Sequence, residues 1–149
     1  MLKRKKKIRK TARKGTLSYA KKKCWEAFAL MKKLEYSEDG VNVRCYTCNA
    51  KLEIGTSNCQ LGHCLPKGGY GALYFHENNV RPQCYRCNIH KAGDTAVFIM
   101  NLIEEIGQDA YEEMYKQRHD QMKITQKEYE EMTKKFTNRI TKIKEQKWN

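Results

Sequence analysis

Four cysteines fall in two matching spacings, Cys45-Tyr46-Thr47-Cys48 and Cys84-Tyr85-Arg86-Cys87. A tight turn inside each pair brings both sulfurs to one side, so each pair can offer two thiolates to one tetrahedral ion. Two pairs close the coordination sphere and leave no position for substrate. The expected ion is therefore a structural Zn²⁺ held by Cys45, Cys48, Cys84 and Cys87. One such pair would leave a redox dithiol as an equal alternative, whereas two in a short chain favour zinc. The basic N-terminal stretch has no apolar segment behind it, so it does not read as a secretory signal. Without one, seven cysteines are better explained by metal and thiol chemistry than by disulfides. Cys24, Cys59 and Cys64 lie outside the paired spacing and are expected as buried thiols.

Thirty-five residues separate Cys48 from Cys84, more than the ~15–20 usual between the pairs of a simple zinc ribbon or finger. Something is held inside the clamp. The enclosed stretch carries Gly62-His63, Pro66, Gly68-Gly69 and Asn79, and Asn88 follows the last cysteine directly. Zinc would pin an irregular hairpin at one end to the start of a helix near Asn88 at the other. That would bring His63 and Asn88 together without a large core. A histidine beside a turn is, by itself, more often structural than catalytic; His76 and His90 carry no stronger signal than surface residues.

The elements that must position these groups follow from periodicity and capping. Residues 1–16 read as a disordered basic arm. Leu17, Ala20, Cys24, Phe28 and Met31 recur at helical spacing to about Leu34. Ser37-Glu38-Asp39-Gly40 is a turn signal, and an irregular region with strand-like pieces at residues 41–46 and 72–75 runs to Gly93. Ile99, Leu102, Ile103 and Ile106 mark a helix after Asp94 that Gly107 stops. A short helix is expected over about residues 110–121, with Tyr111, Met114 and Tyr115 inward. Thr125-Gln126-Lys127-Glu128 has capping-box form and opens a last helix to about Lys147. Its stripe of Tyr129, Met132, Phe136, Ile140 and Ile143 fits intramolecular core better than a dimer seam. The fold class is α+β, mainly helical. A zinc-stabilised core at residues 17–107 is followed by a C-terminal helical extension at residues 108–149.

Charge indicates the class of partner. The net charge is +13, and residues 1–23 hold twelve Lys/Arg without one acidic residue. Basic residues also exceed acidic ones at residues 41–93 and 132–149, while residues 94–131 are acidic. Separate basic stretches suit several contacts along a polyanion, DNA or RNA, with release of counterions. No apolar run approaches the ~18 residues of a membrane span, so no membrane partner and a cytoplasmic location are expected.

The motif order resembles the HNH, or ββα-metal, nucleases. It reads Gly62-His63-Cys64-Leu65-Pro66-Lys67-Gly68-Gly69, then Glu77-Asn78-Asn79-Val80, then Cys84-Tyr85-Arg86-Cys87-Asn88-Ile89-His90-Lys91. More narrowly it is similar to the phage NinG (Rap) recombination family. Leu61-Gly62-His63, Phe75 through Asn79, Gln83-Cys84, Cys87-Asn88 and Leu102-Ile103-Glu104-Glu105-Ile106-Gly107 carry that likeness. A looser similarity is to phage recombination endonuclease VII, which also sets Asn after a zinc-binding C-x-x-C. The resemblance implies a treble-clef-like ββα-metal core and hydrolysis of phosphodiester bonds in branched DNA such as Holliday junctions. It implies His63 as general base toward water, a task that suits a group titrating near neutral pH. A catalytic Mg²⁺ or Mn²⁺ would be held by the Asn88 side-chain oxygen. Asn79 would brace the hairpin and aim His63. Lys67, Arg81, Arg86 and Lys91 surround the motif as expected phosphate contacts. Many HNH nucleases carry an acidic residue or His just before the base, where this chain has Gly62. His76, Glu77 and His90 are the available replacements.

Three functions compete on these grounds. The first is a structure-selective endonuclease, working as a homodimer where two strands are cut. The second is a non-catalytic zinc module that binds nucleic acid through its basic arm. The third is an HNH nuclease that reads a specific sequence. The His63, Asn79 and Asn88 trio favours the first over the second. The lack of an obvious sequence-reading segment favours it over the third.

Overall fold

The computed structural model describes residues 12–65 and 71–149. The arm expected at residues 1–16 falls mostly outside the described residues, and Lys67 falls outside them too. Among the described residues the order is α1 (Leu17–Glu35), β1 (Asn42–Arg44), β2 (Lys51–Glu53), β3 (Cys59–His63), β4 (Val80–Cys84), α2 (Thr95–Ile106), α3 (Gln108–Lys116) and α4 (Gln126–Trp148). One wide helical turn, Arg86–His90, lies between β4 and α2. The strands form two separate antiparallel hairpins, β1 with β2 and β3 with β4. The class is α+β and mainly helical.

The Thr16 hydroxyl caps α1 by accepting from the Tyr19 N–H, satisfying one of the donors that a helix start leaves open. Ala20, Cys24, Phe28 and Met31 then fall on one buried face. Phe28 and Met31 pack on Leu61 of β3 and Val80 of β4. The β3–β4 register sets Leu61 opposite Pro82 and His63 opposite Val80. Strand alternation therefore gives Gln60, Gly62, Arg81 and Gln83 to the other face. All five residues of β4 are buried.

The last helix folds back on the first. Its capping box is complete, with Thr125 and Glu128 each bonding the other's backbone N–H. Tyr129, Met132 and Phe136 pack with Ala20 and Cys24, while Phe136, Ile140 and Ile143 pack with Phe28 and Met31. The stripe is thus internal core. At the far end the Lys147 ammonium donates to the carbonyls of Leu34, Glu35 and Ser37. It supplies the cation that the C-terminal carbonyls of α1 favour. Trp148 donates its indole N–H to Glu38 O, 2.7 Å away, and its ring lies over Gly40, whose φ of +76° favours glycine.

Two local expectations are corrected. Residues 72–75 form turns rather than a strand, because Leu73 and Phe75 both turn inward to separate core clusters, which alternation along one strand face does not explain. The short helix ends at Lys116, and Tyr115 is exposed. Only Met114 is fully buried there, and the Arg118 guanidinium covers the Tyr115 ring at 4.0 Å.

Arg81 is the larger correction. Expected at a phosphate, it is 2% exposed and bonds Glu105 of α2 through Nε at 3.1 Å and a terminal nitrogen at 3.0 Å. Its other terminal nitrogen donates to backbone carbonyls, including Val80 O at 2.7 Å. Tyr36 and Tyr46 each donate a hydroxyl to Glu105 at 2.6 Å. The cation thus ties α1, the first C-x-x-C turn, β4 and α2 together, and it is not available to DNA. Removing one partner of a buried ion pair costs roughly 3–5 kcal/mol. Arg81→Ala should therefore lower the unfolding free energy by an amount of that order and bring the urea midpoint down with it, while Arg86→Ala, at an exposed position, should leave the midpoint nearly unchanged. Equal midpoints for wild type and Arg81→Ala in urea titrations would contradict this.

Candidate metal centre and adjoining cleft

Cys45 and Cys48 lie in the turn between β1 and β2, Cys84 ends β4, and Cys87 sits in the wide helical turn. The first turn closes through Asn49, which takes φ of +61°; Asn tolerates that conformation better than most residues. The four sulfurs all lie within 4.8 Å of one another, and Cys48 and Cys84 Sγ are 3.8 Å apart. Tetrahedral zinc with bonds of ~2.3 Å spaces its sulfurs by roughly 3.8 Å. The cluster can therefore hold a metal ion such as zinc.

Backbone dipoles support thiolates here. Cys84 N–H points at Cys45 Sγ (3.3 Å) and Cys87 N–H at Cys84 Sγ (3.4 Å). Burial opposes ionisation of Cys45, but the N–H groups of Cys84 and Cys48 and the Thr47 hydroxyl outweigh it and bring this thiol down to about 6. Burial raises Cys48 and takes Cys87 up to about 12. Cys24, Cys59 and Cys64 are buried and take no part in the cluster. Burial pushes the Cys24 and Cys64 thiols up to about 11.

His63 closes β3. Its Nε2 lies 3.0 Å from Tyr74 O; a carbonyl only accepts, so Nε2 carries a proton in this contact. The ring stacks on Trp25 of α1, with centroids 5.2 Å apart and planes 13° from parallel. Asn79 is fully buried and spends its amide on the surrounding loop. Its oxygen accepts from Leu65 N–H at 2.7 Å, and its nitrogen donates to Leu65 O and Leu73 O, each at 3.1 Å. It thereby fixes the chain that follows His63 at Leu65 and at Leu73, the residue before Tyr74.

Asn88 sits in the turn after Cys87 and donates to Gln60 Oε1 at 2.8 Å. His63 and Asn88 line one open cleft of about 420 Å³, with Leu61, Leu65, Ile89 and Thr95 among its walls. His76, Glu77 and His90 do not line it. Arg139 and Lys32 hold the Glu77 carboxylate, and His90 stands edge-on against Tyr85. His76 lines a different cleft beside Phe75 and Met132, where burial pulls it below its ordinary value. Arg86 and Lys91 are exposed on the turn that carries Asn88, with Lys91 paired to Asp94 at 3.0 Å.

Sequence reasoning gave Gln83 no role beyond its part in the family likeness. It is fully buried, donating to Gly93 O at 2.8 Å and Thr47 Oγ1 at 3.1 Å. Its oxygen lies where a side chain on Gly62 would begin, 1.9 Å from the position of a Cβ there. The one signal for it was its place before Cys84, on the strand face shared with Gly62.

Comparison with known proteins adds the family. A family model described as Bacteriophage Lambda NinG protein matches residues 2–146. The chain belongs to the NinG family. It is 29% identical over 100 residues to Protein ninG of Escherichia phage lambda, covering 63% of this chain and 48% of that protein. Protein ninG of Escherichia phage 933W is 26% identical over 100 residues, covering 67% and 48%. Protein ninG of Enterobacteria phage H19B is 31% identical over 67 residues, covering 45% and 33%. The matched stretch spans about half or less of these relatives. No solved structure matches. Among the described residues of this NinG-family chain, no helix is long and apolar enough to cross a membrane.

One zinc per chain is expected by native mass spectrometry, and chelation should collapse the cooperative thermal transition. Cys84→Ala should lose the metal, whereas Cys59→Ala and Cys64→Ala should retain a full equivalent. A Cys84→Ala protein that stays folded with one zinc would overturn the ligand set.

Proposed function

We propose that this NinG-family chain is a metal-dependent endonuclease that hydrolyses phosphodiester bonds in branched recombination intermediates such as Holliday junctions. The observation that carries the reading is the shared cleft of His63 and Asn88, with the His63 Nε2–H committed to the Tyr74 carbonyl. A β-hairpin followed by a helical turn, with its flanks joined by four cysteines, is the order an HNH core requires.

In this reading His63 Nδ1 takes the proton from an attacking water. The Tyr74 carbonyl keeps Nε2–H in place as the ring becomes cationic, and stacking on Trp25 holds the ring plane. Asn79 acts as a positioning residue, because its amide is committed to the backbone of Leu65 and Leu73. The cysteine cluster takes no part in bond breaking, since four thiolates leave a zinc ion without an open position. The Asn88 oxygen suits a hard divalent ion. Such an ion, Mg²⁺ or Mn²⁺, would stabilise charge on the phosphate and the leaving oxygen when bound. Arg86 and Lys91 beside Asn88, and Lys67, four positions after His63 in sequence, would meet neighbouring phosphates. The twelve basic residues at positions 1–23 would add sequence-independent affinity.

The test is cleavage of a labelled four-way junction and a matched linear duplex with Mg²⁺ or Mn²⁺. Junction cutting is expected to dominate, and His63→Ala should slow it by about 10²–10⁴-fold, the usual range for a general base, without loss of zinc. Equal cutting of both substrates would remove the selectivity. Tight junction binding with no cutting in any metal would show a non-catalytic zinc module instead.

A further inference from the structure

The cleft that holds His63 and Asn88 has a neighbour on the other side of Asn88. This second open cleft, of about 400 Å³, is lined by Trp25, Lys33, Thr56, Ser57 and Gln60 among others, and it shares Leu61 and Asn88 with the first. Trp25 belongs to both, lining the second while its ring stacks on His63. The Asn88 amide spans the join by donating to Gln60 Oε1 at 2.8 Å. The two recesses therefore adjoin along β3, which starts at Cys59 in the second and ends at His63 in the first.

The second stretch suits an anion. No Asp or Glu lines either cleft. Lys33 is half-buried and donates to Cys59 O at 2.7 Å; an ammonium has three donors, so others remain. Its neighbour Lys32 is held by Glu35 and Glu77, whereas Lys33 has no carboxylate partner among the described residues. Glu26 and Glu35 on the same helix are committed to other cations. Burial pulls the Lys33 ammonium below the ordinary lysine value, and no acidic side chain opposes that shift. A cation kept partly out of water without a counter-charge is stabilised by an anion that brings one. Thr56 spends its proton on Glu53 O at 2.7 Å, so the exposed Ser57 hydroxyl is the one left to donate outward.

We propose that these adjoining clefts carry one DNA strand along β3, and that Lys33, with Ser57, holds a phosphate of that strand on the Cys59 side of the scissile one. This rests on the nuclease reading and deepens it by giving the strand a course. Cys59 and His63 are four residues apart, roughly 13 Å at about 3.3 Å per strand residue. Lys33 therefore meets a different phosphate from the one His63 serves. It is a positioning residue, fixing the register of the strand without touching the reacting atoms. It fills the role that sequence reasoning gave to Arg81, whose charge is spent inside the protein.

The experiment measures binding of a labelled four-way junction to the zinc-loaded full chain, without Mg²⁺ or Mn²⁺, across a salt series. Each neutralised phosphate contributes about 0.7–0.9 to the slope of log affinity against log salt. Lys33→Met, and Lys33→Gln, which can still donate to Cys59 O, should each lower the slope by one such contribution. Their deficit against wild type should shrink about threefold between roughly 50 and 200 mM salt. Lys33→Arg should keep the slope. Lys116→Met, the same loss of charge on α3, should keep it too. Single methylphosphonates placed along the strand should locate the contact, at a position where wild type loses affinity and the Lys33 variants lose none further. Zinc content identifies the variants that keep the fold. Folded Lys33 variants with the wild-type slope, or a methylphosphonate profile that they share with wild type at every position, would overturn the inference; junction cutting by wild type would then leave the nuclease reading standing. A lowered slope in a protein that cuts nothing would sink the nuclease reading and keep the phosphate contact.

Discussion

The convergence of four sulfurs between two short hairpins is the constraint from which the rest of this structure follows. The β1–β2 hairpin has three residues per strand, and it shares no strand pairing with β3–β4. The cluster joining them consists of Val43, Leu52, Cys45, Cys59, Cys84 and Cys87, too little apolar surface to fix a unique arrangement. An ion bonded to Cys45, Cys48, Cys84 and Cys87 would replace the missing core with directed bonds and close the intervening loop. With that loop closed, β4 can be buried along its whole length while its hairpin partner β3 carries His63 to the protein's cleft.

The helices hold this frame by a different means. α4 lays a complete apolar stripe along α1, and Lys147 satisfies the carbonyls at the end of α1 that no helix can satisfy itself. Arg81 and Glu105 add an internal charge pair that connects β4 to α2, with Tyr36 and Tyr46 completing the carboxylate's hydrogen bonds. A buried guanidinium is tolerable only with that degree of satisfaction. Its cost is offset by the four segments it fixes relative to one another, of which α2 also contributes Thr95 to the cleft wall.

What could be read from the chain alone was whatever is encoded locally. Cysteine spacing, the Thr125–Glu128 capping box, the Gly107 stop and the apolar stripes of α1 and α4 each involve residues a few positions apart. Arg81 could not be read in that way. Its charge and its neighbourhood in sequence resembled Arg86, and only the return of α2 with Glu105, twenty-four positions on, separates an internal cation from an exposed one. Residues 72–75 were misread for a related reason: Leu73 and Phe75 suit a strand by type, but the two side chains serve different clusters. Gln83 received no structural role from the sequence because its partners, Gly62, Gly93 and Thr47, lie on three other segments. Strand alternation puts it on the Gly62 face, yet nothing local says that its oxygen would fill the space beside Gly62.

Gln83 and Asn88 are held in fixed positions relative to the cysteines. Each of these residues is bonded directly to a zinc-site cysteine, Gln83 preceding Cys84 and Asn88 following Cys87. The Thr47 hydroxyl that orients the Gln83 amide lies between Cys45 and Cys48 and also reaches Cys45 Sγ at 3.6 Å. The cysteine cluster and these two amide side chains are consequently one mechanical unit, with peptide bonds and one hydroxyl between them. A metal ion held by the four sulfurs would fix both amides without needing an open coordination position. Gly62 on the facing strand fits the same arrangement, because a side chain there would occupy the space that the Gln83 oxygen requires.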